Sequence, residues 1–380
     1  MTAPTSDRRV IVTMVTAQIA ASLGYFSVMA HLVAHLRHDV GLMASTIGLI
    51  LGVRLGVQYA LLLPVGPLTD MLGARRTGTI ACSVRALSFV LLGTAEGLSA
   101  LLCAAVLMGA GGALLHPAAQ SMLAGVTPAR RSKGFAAYVA TQHIGTVVGP
   151  PLGLALLTPG FAFVAGTGAV LWAFAGALFL FLPRHNHESA PRDLLAGVRA
   201  AFRDRSFLLF ALATAPTTLL ANHIMTAVPL LGFTPSMATL SFCVLAAVAA
   251  SAQPFVAAKH RGERPWVLRL GLLCAAATFL VLAPLDGTET DLLMLAAVLN
   301  GIANGLIQPS IFQRAARHAP QGRFGSYYGV LAFCSGMFAC VGDLLIGRLF
   351  DQGPTGATTA LLAVAIFALA AAVTTRGPHH

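Results

Sequence analysis

Two charged side chains lie within strongly apolar stretches of the sequence. They are Arg54, in "LGVRLGVQYA", and Asp343, in "CVGDLLIGR". An ionised group at the centre of a bilayer costs about 2.5–3.5 kcal/mol on insertion scales, so it is a functional hypothesis by default. A carboxylate such as Asp343 can bind and release a proton. The alternative to a functional role is that Asp343 lies near the outer membrane surface and pairs with Arg348 or with water.

Histidines provide a second set of titratable groups in these apolar stretches. They are His31, His35, His116, His143 and His223. Imidazole gains and loses a proton near neutral pH, so each of these side chains can take part in proton exchange. A zinc site needs at least three converging ligands, and the spacing of these histidines provides no such cluster. We therefore expect single hydrogen-bonding histidines, with no metal and no other cofactor.

Three amides follow one another at a spacing of four in "LNGIANGLIQP", at Asn300, Asn304 and Gln308. On a helix this spacing places them on one face, and Gly301 and Gly305 beside them permit close packing. Amides donate and accept hydrogen bonds without carrying a fixed charge, which suits a polar or amphipathic solute. The alternative is that these amides bond neighbouring helices to one another.

The elements that carry these residues are long apolar segments. Of the 380 residues, 57% are hydrophobic and 10% are charged, whereas a soluble domain is about 25% charged. A segment of about 20 apolar residues crosses a bilayer as a helix. Twelve such segments are predicted, at about 10–36, 43–65, 78–96, 99–126, 134–158, 161–183, 207–232, 235–258, 266–285, 292–313, 324–349 and 356–375. They leave no room for a soluble catalytic domain, so we expect an all-α membrane protein that is not an enzyme.

The net charge of +11 is distributed unevenly along the chain. Lys and Arg are concentrated in the segments that lie on one side when both termini are cytoplasmic, and the loops of the other side contain only Arg37 and Arg348. Cytoplasmic loops of membrane proteins carry this excess of positive charge. We therefore expect cytoplasmic termini and no binding of nucleic acid. Arg85, about two turns into the third segment, is expected to extend its side chain to the inner headgroups.

The sequence divides into two related halves. Six segments precede a polar stretch and six follow it, which predicts a first bundle at 1–183, a cytoplasmic linker at 184–206 and a second bundle at 207–380. Apolar residues in the linker recur at helical spacing with arginines between them. The linker is therefore either an amphipathic helix on the membrane surface or a plain tether.

An internal repeat supports this division. "GAGGALLHP" at 109–117 resembles "GIANGLIQP" at 301–309, and Arg131 and Arg323 follow at the same offset. Duplicated halves occur in secondary transporters, with the substrate site near the midplane of the membrane at the repeat interface.

The hairpin between the second and third segments reads "GPLTDMLGARRTG". Its glycines permit close helix approach or positive φ, and its arginines suit anionic headgroups. It resembles the signature hairpin of the major facilitator superfamily, with matches at Gly66, Leu68, Asp70, Gly73 and Arg75, followed by Arg76. The resemblance covers the whole chain and implies two six-helix bundles that rock about a central site. It also implies that this hairpin is a latch on the cytoplasmic side, although Met71 and Ala74 stand where basic residues are usual.

A second motif, "GTVVGPPLGL" in the fifth segment, is similar to the antiporter signature of the same superfamily. The matching residues are Gly145, Gly149, Pro150 and Gly153, and Leu154 replaces a final glycine. The resemblance implies an export-type drug:proton antiporter. Such antiporters usually carry an arginine in the fourth span, where this chain has Ala105. Proton coupling must therefore use other groups. In this superfamily the second and eleventh spans face each other across the two bundles, so the resemblance implies that Arg54 and Asp343 approach one another when the outer side is closed, and we expect Asp343 to couple proton movement to the cycle.

In this superfamily the first, fourth, seventh and tenth spans line a central cavity. The residues that we expect in the substrate cavity are Tyr25, His31, Gln58, His116, Gln120, His143, Asn222, His223, Asn300, Asn304 and Gln308. The function implied is proton-coupled efflux of a small organic molecule by alternating access: a drug, an antibiotic or a secreted metabolite such as a siderophore. The alternative is proton-coupled uptake of a small polar nutrient. The expected partners are this substrate, protons and membrane lipids, with the chain acting as a monomer in a bacterial cytoplasmic (inner) membrane.

Overall fold

The computed structural model of the chain describes residues 4–95, 97–124, 126–182, 194–257, 264–318, 320 and 324–375. Within these residues the chain forms helices joined by short connections, and the all-α architecture predicted from the sequence is confirmed. The α-helices are α1 Pro4–Ala34, α2 Ala44–Leu72, α3 Ala74–Thr94, α4 Leu98–Ala124, α5 Pro128–Ala155, α6 Phe161–Leu180, α7 Leu194–Arg203, α8 Arg205–Ala213, α9 Thr217–Leu230, α10 Pro235–Ala257, α11 Pro265–Leu282, α12 Thr290–His318, α13 Phe324–Phe350 and α14 Pro354–Thr374. A π-helical turn, His35–Asp39, follows α1.

Eleven spans in the described part of the chain are long and apolar enough to cross a membrane. The fifth of the twelve predicted spans is α5, whose apolar portion is the shorter Ile144–Ala155. Large apolar side chains on the outer helix faces are exposed, among them Val170, Phe174, Ile366 and Phe367. Exposed apolar surface of this kind is what lipid covers.

Proline and glycine mark several of the helix starts. Gly73 alone separates α2 from α3, and its φ of 78° is a conformation that glycine adopts without strain. Proline opens α5, α11 and α14, at the position where its missing N–H costs no helical hydrogen bond. These residues explain why the connections can be so short.

The helices form two compact units. Unit 1 comprises Met1–Leu32 and Val57–Arg192, and unit 2 comprises Val33–Gly56 and Asp193–His380. The first half of α2 therefore packs with unit 2. The predicted bundle boundaries at residues 183 and 206 remain a prediction.

The same helix pairs recur in the two units. In unit 1, α3 packs against α4 and α6. In unit 2, α11 packs against α12 and α14. Counted by span, these are the third helix with the fourth and sixth, and the ninth with the tenth and twelfth. This correspondence agrees with the internal repeat found in the sequence.

The predicted linker contains the helix α7, and its location on the membrane surface stays a prediction. α7 packs against α13, where Gly197 lies against the hydroxyl of Ser326 and the rings of Phe202 and Phe333 meet edge to face. Asp204 follows α7 and accepts a hydrogen bond from the backbone N–H of Phe207, which caps α8.

Charges of opposite sign lie at the two ends of α12. Before its first turn, hydrogen bonds from Thr288 lower the pKa of the exposed Asp286 carboxyl. Beyond its apolar portion, burial and the nearby charges of Arg269 and Arg317 lower the pKa of Arg314. This arrangement agrees with an inner, positive end at residue 318, and the orientation of the termini itself stays a prediction.

Candidate functional site

A buried histidine–carboxylate contact joins α9 to α13 in unit 2. Nδ1 of His223 lies 3.2 Å from Oδ1 of Asp343, and the two residues are 1% and 6% exposed. Each residue is seven positions from the last residue of its helix, which is about 10 Å along the axis. The pair therefore lies within the thickness of the hydrocarbon core, not in the headgroup region.

Both side chains of this pair carry groups that can bind a proton. Because both are buried, the cost of a charge on either of them depends on the helices around them. Nε2 of His223 is buried and has no hydrogen-bond partner among the described residues. A proton can therefore bind at Nε2 of His223 as well as at the carboxylate of Asp343.

In this structure Asp343 bonds to His223. Arg54 is buried on α2. α2 does approach α13 closely, because Gly48 lies against the carbonyl oxygen of Asp343. A pair between Arg54 and Asp343 in another conformation remains a prediction.

The seventh span is broken just before this pair. α8 ends at Ala213 and α9 begins at Thr217, because Pro216 lacks an N–H and its ring does not fit a continuous helix. The carbonyl of Thr214 accepts three hydrogen bonds: from the backbone N–H of Thr217 at 3.1 Å, from the hydroxyl of Thr217 at 2.7 Å and from the hydroxyl of Ser335 on α13 at 3.4 Å. Discontinuous helices of this kind border binding sites in transporters.

A carboxylate at the end of α13 caps α2. Asp351 accepts hydrogen bonds from the backbone N–H groups of Ala44 at 2.7 Å and Ser45 at 2.9 Å. These are orphan donors of the first turn of α2, where the helix dipole also favours a negative charge. Gly347 lies against the carbonyl of Ala44, so the two helix ends are in close contact.

We expect Asp351→Ala to lower the free energy of unfolding by about 1 kcal/mol, because the variant leaves two backbone donors of α2 without their acceptor. The thermal unfolding midpoint of the purified protein would measure the change. Gln352→Ala is the matched control, since Gln352 is exposed in the same turn. Equal midpoints for the two variants would contradict the capping role.

The glycines of the antiporter-type motif form the face of α5 that receives α1. A Cβ at Gly145 would overlap Ser22, one at Gly149 would lie 2.6 Å from Cβ of Phe26, and one at Gly153 would overlap the carbonyl of Ser27. Their spacing of four places all three on one face. The motif therefore permits two helices to pack at backbone distance.

His31 completes this contact. Its ring is buried and its Nε2 lies 3.0 Å from the carbonyl oxygen of Pro150. A carbonyl oxygen only accepts, so Nε2 of His31 carries the hydrogen. Nδ1 is buried with no hydrogen-bond partner in the described part of unit 1. The sequence predicted His31 as a cavity residue, whereas its observed contact is with the motif proline.

The three amides of α12, Asn300, Asn304 and Gln308, lie in three different environments. Asn300 is fully buried and donates to the carbonyl of Leu220 at 3.3 Å, which ties α12 to α9. Asn304 is half-buried and donates to Oδ1 of Asn300 at 2.7 Å, whereas Gln308 is exposed. Asn300 therefore bonds one helix to another, and the place of Gln308 in a substrate cavity stays a prediction.

Gly301 and Gly305, next to these amides on α12, pack closely against a neighbouring helix, as the sequence predicted. A Cβ at Gly301 would lie 2.7 Å from the carbonyl of Leu245, and one at Gly305 would lie 2.6 Å from Cβ of Ala252. Both neighbours belong to α10. The close packing of α12 on this helix is confirmed.

Four other predicted site residues lie in the described part of the chain. Asn222 is exposed and donates to the carbonyl of Thr218, and Arg75 is half-buried beside the exposed Arg76. Gly73 has the positive φ that its place in the hairpin suggested. The predicted residues whose surroundings lie outside the described part are Gly66, Asp70, His116, Gln120 and His143.

The expectation for Arg85 was wrong. Its side chain does not extend to the headgroups but is buried, with its guanidinium carbon 4.8 Å from the ring centroid of Tyr25 and 5.0 Å from that of Trp172. Its Nη1 and Oε1 of Gln58 both approach Gly112 of α4. Aromatic rings from α1 and α6 contact the guanidinium inside unit 1. Because these rings are distant from Arg85 in the sequence, the contact could not be predicted.

Two units with the same helix pairing and a broken seventh span are features of transporters built from duplicated halves. The sequence profile of the Major Facilitator Superfamily matches residues 14–343, and the chain belongs to this family of membrane transporters. The resemblance inferred from the hairpin is thereby confirmed.

Relatives and solved structures agree with this assignment. The chain is 27% identical to an uncharacterized MFS-type transporter of Mycobacterium tuberculosis, over 88% of this chain and 84% of the relative. It is 26% identical to multidrug resistance protein MdtH of Escherichia coli, over 87% and 84% of the two chains. The fold is similar to that of the nucleoside transporter NupG (TM-score 0.77–0.80, 14–15% identity, 96% and 98% covered) and to a POT family transporter (TM-score 0.80, 12% identity, 96% and 94% covered).

Proposed function

We propose that the protein exports a small organic molecule in exchange for protons, and that the buried pair of His223 and Asp343 is the proton-coupling site. The observation that carries the proposal is this pair, since Asp343 is the carboxylate that lies well inside a span and it contacts a titratable imidazole. In one state of the cycle the two side chains bond to each other. In another, protonation of Asp343 weakens their attraction and favours separation of α9 from α13.

Two further observations support export over uptake. The glycine face of α5 packs against α1 with His31 bonded to Pro150, and this motif is the one by which the chain resembles export-type antiporters. The relative MdtH is named a multidrug resistance protein. The hairpin residues Gly66, Asp70, Gly73, Arg75 and Arg76 are proposed to latch the cytoplasmic side, and the protein is proposed to act as a monomer in the inner membrane of a bacterium.

A susceptibility and accumulation panel tests the direction of transport. Cells that lack their own efflux pumps would express the wild-type protein or Asp70→Ala, or would carry an empty vector. They would then be exposed to drugs, antibiotics and siderophores. We expect lower accumulation of at least one compound class with the wild type, and a smaller effect with Asp70→Ala. Uptake of a nutrient with no export of any compound would overturn the proposal in favour of the uptake alternative.

A further inference from the structure

Three arginines lie together where α11 begins and α12 ends in unit 2. Arg269 is on the second turn of α11, and Arg314 and Arg317 are on the last two turns of α12. The two helices pack closely next to them, since a Cβ at Gly271 would lie 2.8 Å from Cγ1 of Ile307. Burial and the charges of Arg269 and Arg317 lower the pKa of Arg314, so both charges are near enough to repel that of Arg314. We call these three residues the arginine cluster.

Two residues of the arginine cluster are half-buried without a carboxylate partner in the described part of the chain. Arg269 and Arg314 are both partly buried, and no ion pair of the described residues includes either of them. Nε of Arg269 is buried and has no hydrogen-bond partner among these residues. Removing a charge from water is costly unless an opposite charge is beside it. Like charges that are held together and half-buried therefore favour a bound anion.

The sequence around the arginine cluster has too few acidic side chains to supply this anion. Residues 258–269 and 313–323 contain seven lysines and arginines but one carboxylate, that of Glu263, which leaves an excess of six positive charges. Glu263 lies outside the described residues, and it can balance one charge at most. The positive-inside rule accounts for the number of these charges but not for the burial of two of them next to each other.

An apolar surface continues from the arginine cluster along α11. Trp266 is 45% exposed and meets the ring of Phe255 edge to face, and Leu270 and Leu273 are exposed as well. Their spacing places Trp266, Leu270 and Leu273 on one side of the helix, with Arg269 at the edge of that side. Tryptophan lies at headgroup level in membrane proteins, with apolar side chains facing the acyl chains beyond it. The charged surface and the lipid-facing surface are therefore continuous.

We propose that Arg269 and Arg314, with the charge of Arg317 beside them, bind the phosphate headgroup of an anionic phospholipid whose acyl chains lie along the exposed leucines of α11. Guanidinium groups bind phosphate oxygens through paired, charge-assisted hydrogen bonds. Basic pockets between spans at the inner membrane surface bind anionic headgroups. A free phosphate ion would account for the arginines but not for their continuity with an apolar surface. This site is separate from the proton-coupling pair and goes beyond the export proposal.

Trp266 reports on the lipid at this site. The chain has two tryptophans, and Trp172 is 2% exposed inside unit 1, so Trp172→Phe leaves Trp266 as the single accessible indole. Purified protein would be placed in vesicles of phosphatidylcholine and phosphatidylglycerol, with bromine on the upper acyl chains of one lipid at a time, because bromine quenches indole fluorescence on contact. We expect phosphatidylglycerol to compete for the site next to Trp266 at least about fivefold better than phosphatidylcholine. The wild-type protein, in which Trp172 adds an unquenched background, should give the same preference.

Glutamine variants test whether the preference comes from the arginine cluster. Arg269→Gln and Arg314→Gln should each lower the preference at least about twofold, and the double variant should bring it close to one. Arg348→Gln is the matched control, because Arg348 is exposed at the end of α13 and carries the same charge outside the cluster. It should keep the wild-type preference.

A second measurement separates a phospholipid from a free anion. Phosphatidylglycerol added to the wild-type protein in detergent should raise the thermal unfolding midpoint, whereas phosphatidylcholine and inorganic phosphate should not, because only a ligand of the native state stabilises it. Equal stabilisation by inorganic phosphate would show that the site takes a free anion and would reject the lipid. Equal competition by the two lipids, or an undiminished preference in the folded double variant, would overturn the inference. Neither assay needs a transported compound, so neither result depends on the export proposal.

Discussion

Asp343→Asn is expected to abolish export against a concentration gradient. The change removes the negative charge and the proton-binding capacity of the carboxylate, while the amide keeps the shape and a hydrogen bond with Nδ1 of His223. The fold should therefore persist, because no unpaired charge is left buried. Without a carboxylate that is charged in one state and neutral in the other, a proton gradient has no means to bias the cycle.

The measurement is accumulation of the exported compound in energised cells, together with exchange of labelled for unlabelled compound in the absence of a gradient. We expect active export to fall at least about tenfold, to the level of cells without the protein, while exchange continues. Asp291→Asn is the matched control, since Asp291 is exposed at the start of α12 and should export normally. Active export by Asp343→Asn at the wild-type rate would reject the role of this carboxylate.

Gly149→Ala is expected to have an effect nearly as large, through packing and not through charge. The new Cβ would lie 2.6 Å from Cβ of Phe26 and 3.1 Å from the backbone nitrogen of Ser27, so α1 must move away from α5. Overpacking of this kind costs about 1–3 kcal/mol. If this cost applies to only one conformation, the equilibrium constant between the two conformations changes by about 5- to 150-fold.

Transport rate and thermal unfolding of Gly149→Ala would be compared with those of Gly166→Ala. Both substitutions add one methyl group to a span, but a Cβ at Gly166 meets no neighbouring atom. We expect transport to fall at least about tenfold in Gly149→Ala and to stay unchanged in Gly166→Ala. Similar transport by both variants would show that the glycine face of α5 is dispensable.

The parts of the structure that depend on local pattern were predictable. Apolar length gives the spans, and the spacing of Gly145, Gly149 and Gly153 places them on one helix face before any partner is known. The single-residue turn at Gly73 follows from the same kind of reasoning. In each case the interactions involved lie within a few residues along the chain.

The contacts that define the candidate site were not predictable, because their partners are distant in sequence. His223 and Asp343 are 120 positions apart, and Asp351 caps α2 across 307 positions. Arg54 was the expected partner of Asp343 because the second and eleventh spans face each other in the superfamily, whereas nothing in the sequence places His223 next to Asp343. The burial of Arg85 depends on rings from α1 and α6, which no helical periodicity of α3 reveals.

The three amides of α12 are equally spaced in the sequence but have different environments in the structure. Asn300, Asn304 and Gln308 share one face, yet Asn300 is buried against α9 and Gln308 is exposed. The depth of each position relative to the neighbouring helix decides which amide ties helices together. Spacing alone therefore identified the face but not the role of each side chain.

Proton movement driven by substrate is the most direct test of proton-coupled export through Asp343. Purified protein would be placed in vesicles without a pH gradient, and a gradient of the exported compound would be applied while the internal pH is followed with an enclosed dye. The account predicts that the wild-type protein moves protons opposite to the compound and that Asp343→Asn moves none. Proton movement in Asp343→Asn equal to that of the wild type would contradict it.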